Sequence, residues 1–116
     1  MTTMTANYPD HLDASERQVI DTLIRDVLAM GCTISVHDGE EWAVKGSVDY
    51  TKITSEIAAT DETIIRVRQG DLHAAIFFVH GNAPSEVIAD MTDTPWARSL
   101  VVGAERVAAK LEERGL

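Results

Sequence analysis

The sequence predicts one α+β domain, with two long helices and one short helix on a five-stranded, mainly antiparallel sheet, in the order αββαβββα. Three observations lead there. Apolar residues recur at helical spacing in two long stretches, one near each end of the chain. Between them they alternate with polar residues at a period of two, and short Gly-containing turns join most of these strand-like stretches. A chain of 116 residues supports one core of this kind, and no repeat or linker divides it.

Residues 1–12 show no periodicity and contain Pro9, so they read as a disordered tail ahead of a domain at 13–116. Val19, Ile20, Leu23, Ile24, Val27 and Leu28 form one stripe on a helix from about Ser15 to Met30. Asp13 with Glu16, or Ser15 with Gln18, can make a capping box at its start, and Gly31 suits its end. Ile34 and Val36, then Trp42 and Val44, mark two strands of a hairpin. A two-residue turn at Asp38-Gly39 opposes Ser35 to Trp42 and scrambles the core. The expected connection is therefore a three-residue loop, His37 to Gly39, which opposes Ile34 to Trp42 and sets all four apolar residues on one face.

Ser47 or Asp49 can cap a short helix reaching about Ala59, with Tyr50, Ile53 and Ile57 buried. In the strand Thr63 to Arg68, Ile65 and Val67 point inward while Arg66 and Arg68 point outward. Leu72 to His80 is apolar on both parities, which fits a strand covered above and below or at a dimer contact. A last strand falls at Val87 to Met91. Thr94 and Pro95 then open a helix running to about Glu113 through Trp96, Leu100, Val101, Ala104, Val107, Ala108 and Leu111.

Charge narrows the function classes. Nineteen acidic residues against ten basic ones give a formal net charge of −9. Residues 1–62 hold twelve of the acids and only four bases, so nearly all the excess lies in the first half. Long-range repulsion disfavours direct binding to nucleic acid or anionic lipid and favours a basic partner. The amino terminus has neither the basic nor the apolar segment of a leader, no stretch reaches bilayer length, and the lone Cys32 fits a reducing compartment, so a cytoplasmic protein is expected.

No motif announces catalysis. The four histidines lack metal-ligand spacing, since His73 and His80, seven apart on one strand, face opposite sides; no metal or cofactor is expected. Glu40 and Glu41 flank a turn and Asp90 and Asp93 flank the last strand, solvated positions that do not provide the apolar pocket a general acid needs. Cys32 at a strand start reads as a packing residue. Arg66 and Arg68 project from one face, with Lys45 able to join them. That strip can grip a phosphate or carboxylate, or it can pair with nearby carboxylates and guard a sheet edge. Asp21 and Asp26 lie off the helix stripe, and Asp38, Glu40 and Glu41 cluster at the hairpin tip. Such a surface can imitate duplex phosphates and occupy a basic groove, although a solvated face that keeps the domain soluble has the same composition.

The run Thr33 to Lys45 (TISVHDGEEWAVK), with Asp61-Glu62-Thr63 and Ile88-Ala89-Asp90, resembles small uncharacterised acidic proteins of proteobacterial phages and prophages. The resemblance implies a setting in which inhibitors of host defence, anti-restriction and anti-CRISPR proteins among them, are common; it implies no site. The reading that follows is a non-enzymatic interaction protein. Asp21, Asp26, Asp38, Glu40 and Glu41 dock on a host protein or ribonucleoprotein with a basic surface. The alternative is a homodimeric module in which Arg66 and Arg68, with His73 or His80, bind a small anionic ligand.

Overall fold

The computed structural model describes residues 6, 8–59, 62–81 and 83–115. Within them the chain runs α1 (Ala14–Ala29), β1 (Thr33–His37), β2 (Trp42–Ser47), α2 (Tyr50–Glu56), β3 (Glu62–Gln69), β4 (Leu72–Val79), a 3-10 turn (Pro84–Glu86), β5 (Ile88–Met91), α3 (Pro95–Leu100) and α4 (Val102–Glu113). The strands form one sheet in the order β2-β1-β3-β4-β5, with every neighbouring pair antiparallel. The α+β class expected from the sequence is the class of the fold.

Alternation along the strands decides what the sheet buries. Ile34, Val36, Val44, Ile65, Val67, Ala74, Ile76 and Phe78 share the inner face and are at most 1% exposed. The α1 stripe of Val19, Ile20, Leu23, Ile24 and Val27 packs into the same core. Each such side chain contributes on the order of 1.5–3 kcal/mol by leaving water. α1 and α4 lie against each other, and Asp49 caps α2 by accepting the backbone N–H of Lys52. Among the described residues no helix covers the outer face, where Arg66, Arg68, His73 and Phe77 are exposed. Of the two situations expected for β4, cover by the chain's own helices is not found on that side, and Phe77 remains 40% exposed.

Four further expectations need correction. The hairpin loop has four residues: His37 opposes Trp42, and the backbone N–H of Asp38 donates to the carbonyl of Glu41 at 3.0 Å. The Asp38 carboxylate takes the N–H groups of Glu40 and Glu41, a side-chain alternative to strand pairing that parity arguments ignore. Register then shifts twice between β1 and β2, restoring Val36 to Val44 but pairing Ile34 with Ser47. Trp42 is thereby turned away from the core onto the outer face, with its ring centroid 5.1 Å from that of His37 and the Arg66 guanidinium 5.2 Å over its ring.

Part of the expected tail packs onto the domain from Tyr8 onward, while residues 1–5 and 7 lie outside the described residues. Tyr8 and Leu12 are buried, and the Leu12 carbonyl accepts a guanidinium N–H of Arg17. Two isolated apolar anchors hold this segment, so it has no period to detect. Glu16 does not close a capping box: Asp13 caps α1 through the N–H of Ser15, while Glu16 turns inward and is 2% exposed. The final helix breaks at Val101 into α3 and α4, where two β-branched valines precede Gly103 in a stretch of weak helix propensity. Gly103 sits hard against α1, since a Cβ there would lie 2.4 Å from an Asp26 carboxylate oxygen.

Candidate functional site

The five acidic residues singled out above do not form one surface. Asp21 is held by three neighbours. The Tyr8 hydroxyl donates to Oδ1 at 2.8 Å, the Tyr50 hydroxyl donates to the same oxygen, and Arg25 Nε donates to Oδ2 at 2.7 Å. Burial alone pushes its carboxyl upward, but the hydrogen bonds from Tyr50, Arg25 and Tyr8 outweigh this and hold it below its ordinary value. Burial and the adjacent Asp21 charge in turn raise both phenols. This carboxylate is spent on joining the amino-terminal segment, α1 and α2.

Asp26, five residues further along α1, lies instead beside Gly103 of α4. Five residues turn a helix by about 140°, so the two aspartates face different neighbours. Asp38, Glu40 and Glu41 do stand together at the hairpin tip. There the backbone N–H groups of Glu41 and Glu40 hold the Asp38 carboxyl below the usual carboxylate range.

The basic strip fares differently. Arg66 and Arg68 lie on β3, the middle strand, so they guard no edge. Among the described residues neither they nor Lys45 has a carboxylate within ion-pair distance. Ser35, Trp42, Lys45 and Arg66 line one shallow depression of about 210 Å³ on the outer face. Arg68 opposes His73 across β3 and β4. His80 is not part of this surface, because it points to the other side of the sheet.

His80 belongs to a cluster that local patterns do not reveal. Its Nδ1 lies 3.2 Å from Glu16 Oε1 and its Nε2 2.9 Å from the Thr63 hydroxyl. Gly81 donates its N–H to Glu16 Oε2, and Ala58 donates its N–H to the Thr63 oxygen. Carboxylate, imidazole and hydroxyl thus follow the atom order of a hydrolytic triad. Thr63, however, is only 1% exposed, so no substrate reaches its oxygen. The cluster ties the start of α1 to the adjoining ends of β3 and β4. The only hint in the sequence is Glu16 itself, which imitates a helix cap.

A groove of about 470 Å³ lies between α4 and β5, with Pro84 and Ser85 of the 3-10 turn in its lining. Ile88, Ala89, Met91 and Ala109 supply its accessible apolar surface, backed by the buried Val19, Val101, Ala104 and Ala108. Glu105 and Glu112 supply its ionisable groups, Asp90 borders it on β5 while standing in register with Phe77 of the outer face, and its lining contains no Lys, Arg or His. The backbone N–H and hydroxyl of Ser85 both donate to Glu112, which fixes that carboxylate at the mouth. These acids come from the half of the chain whose net charge is nearly balanced, so the charge count directs attention away from them. Among the described residues no helix is long and apolar enough to cross a membrane, and no cluster of His, Cys, Asp or Glu has the geometry to hold a metal ion. Cys32 is buried, and burial pushes its thiol up. No protein-family model, curated protein or solved structure matches this chain.

Proposed function

We propose that this chain is a non-enzymatic interaction module that docks a basic, apolar-faced segment of a partner protein in the groove between α4 and β5. The observation that carries the proposal is the lining: an apolar floor bordered by the carboxylates of Glu105 and Glu112 and no cation, in a chain of net charge −9. Apolar burial supplies affinity in such a groove, and the acids select the charge of the occupant. The field of the whole molecule adds steering toward a cationic partner. The absence of an accessible nucleophile or paired acid at the one triad-like cluster supports a binding role over a catalytic one.

The phage-protein resemblance makes a host protein or ribonucleoprotein with a nucleic-acid-binding surface the first partner class to test, with the chain acting as an inhibitor. In that setting the hairpin tip, with Asp38, Glu40 and Glu41, offers a second acidic contact. Asp21 is withdrawn from the proposed interface because its charge is already matched.

A fluorescein-labelled amphipathic Lys/Leu peptide tests the groove by fluorescence polarisation. The expected result is saturable binding that weakens as salt rises. Ala109→Trp, which fills the groove from an exposed position, abolishes it. Glu105→Gln weakens it by about two- to fivefold, the range of an exposed ion pair. Binding that ignores both salt and Ala109→Trp overturns the proposal.

A further inference from the structure

The outer face of the sheet carries a site of opposite sign. Across β2, β1, β3, β4 and β5, the register sets Trp42, His37, Ile64, Phe77 and Asp90 side by side in one row, with the Asp90 carboxylate at the end away from the cations and accepting the Met91 N–H. Ser35 opposes Arg66 in the next row, two residues along each strand and hence about 7 Å away. Lys45 reaches the same depression from β2. The Ser35 hydroxyl oxygen accepts the backbone N–H of Gly46 at 2.8 Å, which leaves its own proton free to donate. Trp42 holds the Arg66 guanidinium over its ring, so that cation is positioned before any ligand arrives.

We infer that the depression formed by Ser35, Trp42, Lys45 and Arg66 binds a small organic phosphate whose planar body lies along the Ile64 and Phe77 row. Two cations and a hydroxyl donor match a dianionic phosphate, and neither cation is neutralised by a carboxylate among the described residues. Inorganic phosphate satisfies only the charged half of this site. A phosphate on an aromatic ring also covers the exposed Phe77 edge. The site is independent of the groove between α4 and β5, so either can fail alone.

Backbone and indole N–H signals, followed by NMR in titrations with phenyl phosphate, inorganic phosphate and benzoate at constant ionic strength, test the assignment. The expected outcome is saturable movement of Ser35, Lys45, Arg66 and the Trp42 indole with phenyl phosphate, at concentrations at least about tenfold below those needed for the other two. Arg66→Gln weakens phenyl phosphate binding by about tenfold, the scale of one charge-assisted hydrogen bond, while Arg68→Gln in the next row out changes it less than about threefold. Thermal unfolding checks that both variants remain folded. Shifts reproduced by sodium chloride, equal binding of benzoate, equal loss in the two arginine variants or no saturation each overturn the inference.

Discussion

Glu16 and Asp21 on α1 point their carboxylates into hydrogen-bonded company, whereas Glu105 and Glu112 on α4 border an exposed groove. The first pair lies in the strongly acidic half of the chain, and the second in the half that is nearly neutral by count. Counting charge along a sequence therefore overstates what the first half offers to a partner and understates the second. A carboxylate matched by tyrosines, an arginine or a histidine acts as a structural joint. One on a rim remains available to select a partner.

The largest expected effect breaks this contrast if it fails. Glu16→Ala removes the buried partner of His80 and the acceptor for Gly81, at a cost of about 3–5 kcal/mol in urea unfolding. Glu105→Ala on the groove rim stays within about 0.5 kcal/mol of the parent. Similar losses in the two variants would erase the distinction between joint and rim.

Next in size is Tyr50→Phe, which deprives Asp21 of one donor and is expected to cost about 1.5 kcal/mol. The same cluster gives a signature in pH. Both tyrosines of the chain belong to it, and their folded-state pKa values lie above the ordinary value of about 10. Their contribution is thus fully present below about pH 10 and is lost as pH rises through the folded values. Absorbance at 295 nm near pH 10 should show less phenolate in the folded chain than in the urea-unfolded chain. Asp21 has the opposite sign: its depressed pKa adds stability above about pH 4 that fades as pH falls further. Asp21→Asn should accordingly flatten the acid limb of the stability profile.

The smallest effect concerns Asp26. Gly103→Ala places a methyl against its carboxylate oxygen, the end of an exposed side chain that can rotate away. Relief of a helical glycine should then leave stability unchanged or raised by up to about 1 kcal/mol. A loss of several kcal/mol would show that Asp26 is fixed as firmly as Asp21.

Periodic residues made most of the architecture legible. The stripe from Val19 to Val27 and the alternation through Ile65 and Val67 specify α1, β3 and the face each buries, because burial repeats with the period of the element. Local exceptions were not legible. A carboxylate that folds back on two amides moved the hairpin register and carried Trp42 to the other face of the sheet, and two isolated residues, Tyr8 and Leu12, anchor the amino-terminal segment. Of the candidate sites, the cationic strip was readable, since Arg66 and Arg68 share a parity. The groove was not, because its walls come from β5 and α4 and neither element alone signals a cavity. The doubly apolar β4 did mark something: Phe77 emerges on the open face.

The account rests most heavily on where a basic, apolar-faced segment lands. An NMR footprint of the unlabelled Lys/Leu peptide on the isotope-labelled chain measures this directly. Shifts concentrated at Ile88–Met91 and Ala104–Glu112, diminishing as salt is raised, are the predicted result. A footprint on Trp42, Ile64 and Phe77, or one confined to Asp38, Glu40 and Glu41, would contradict it.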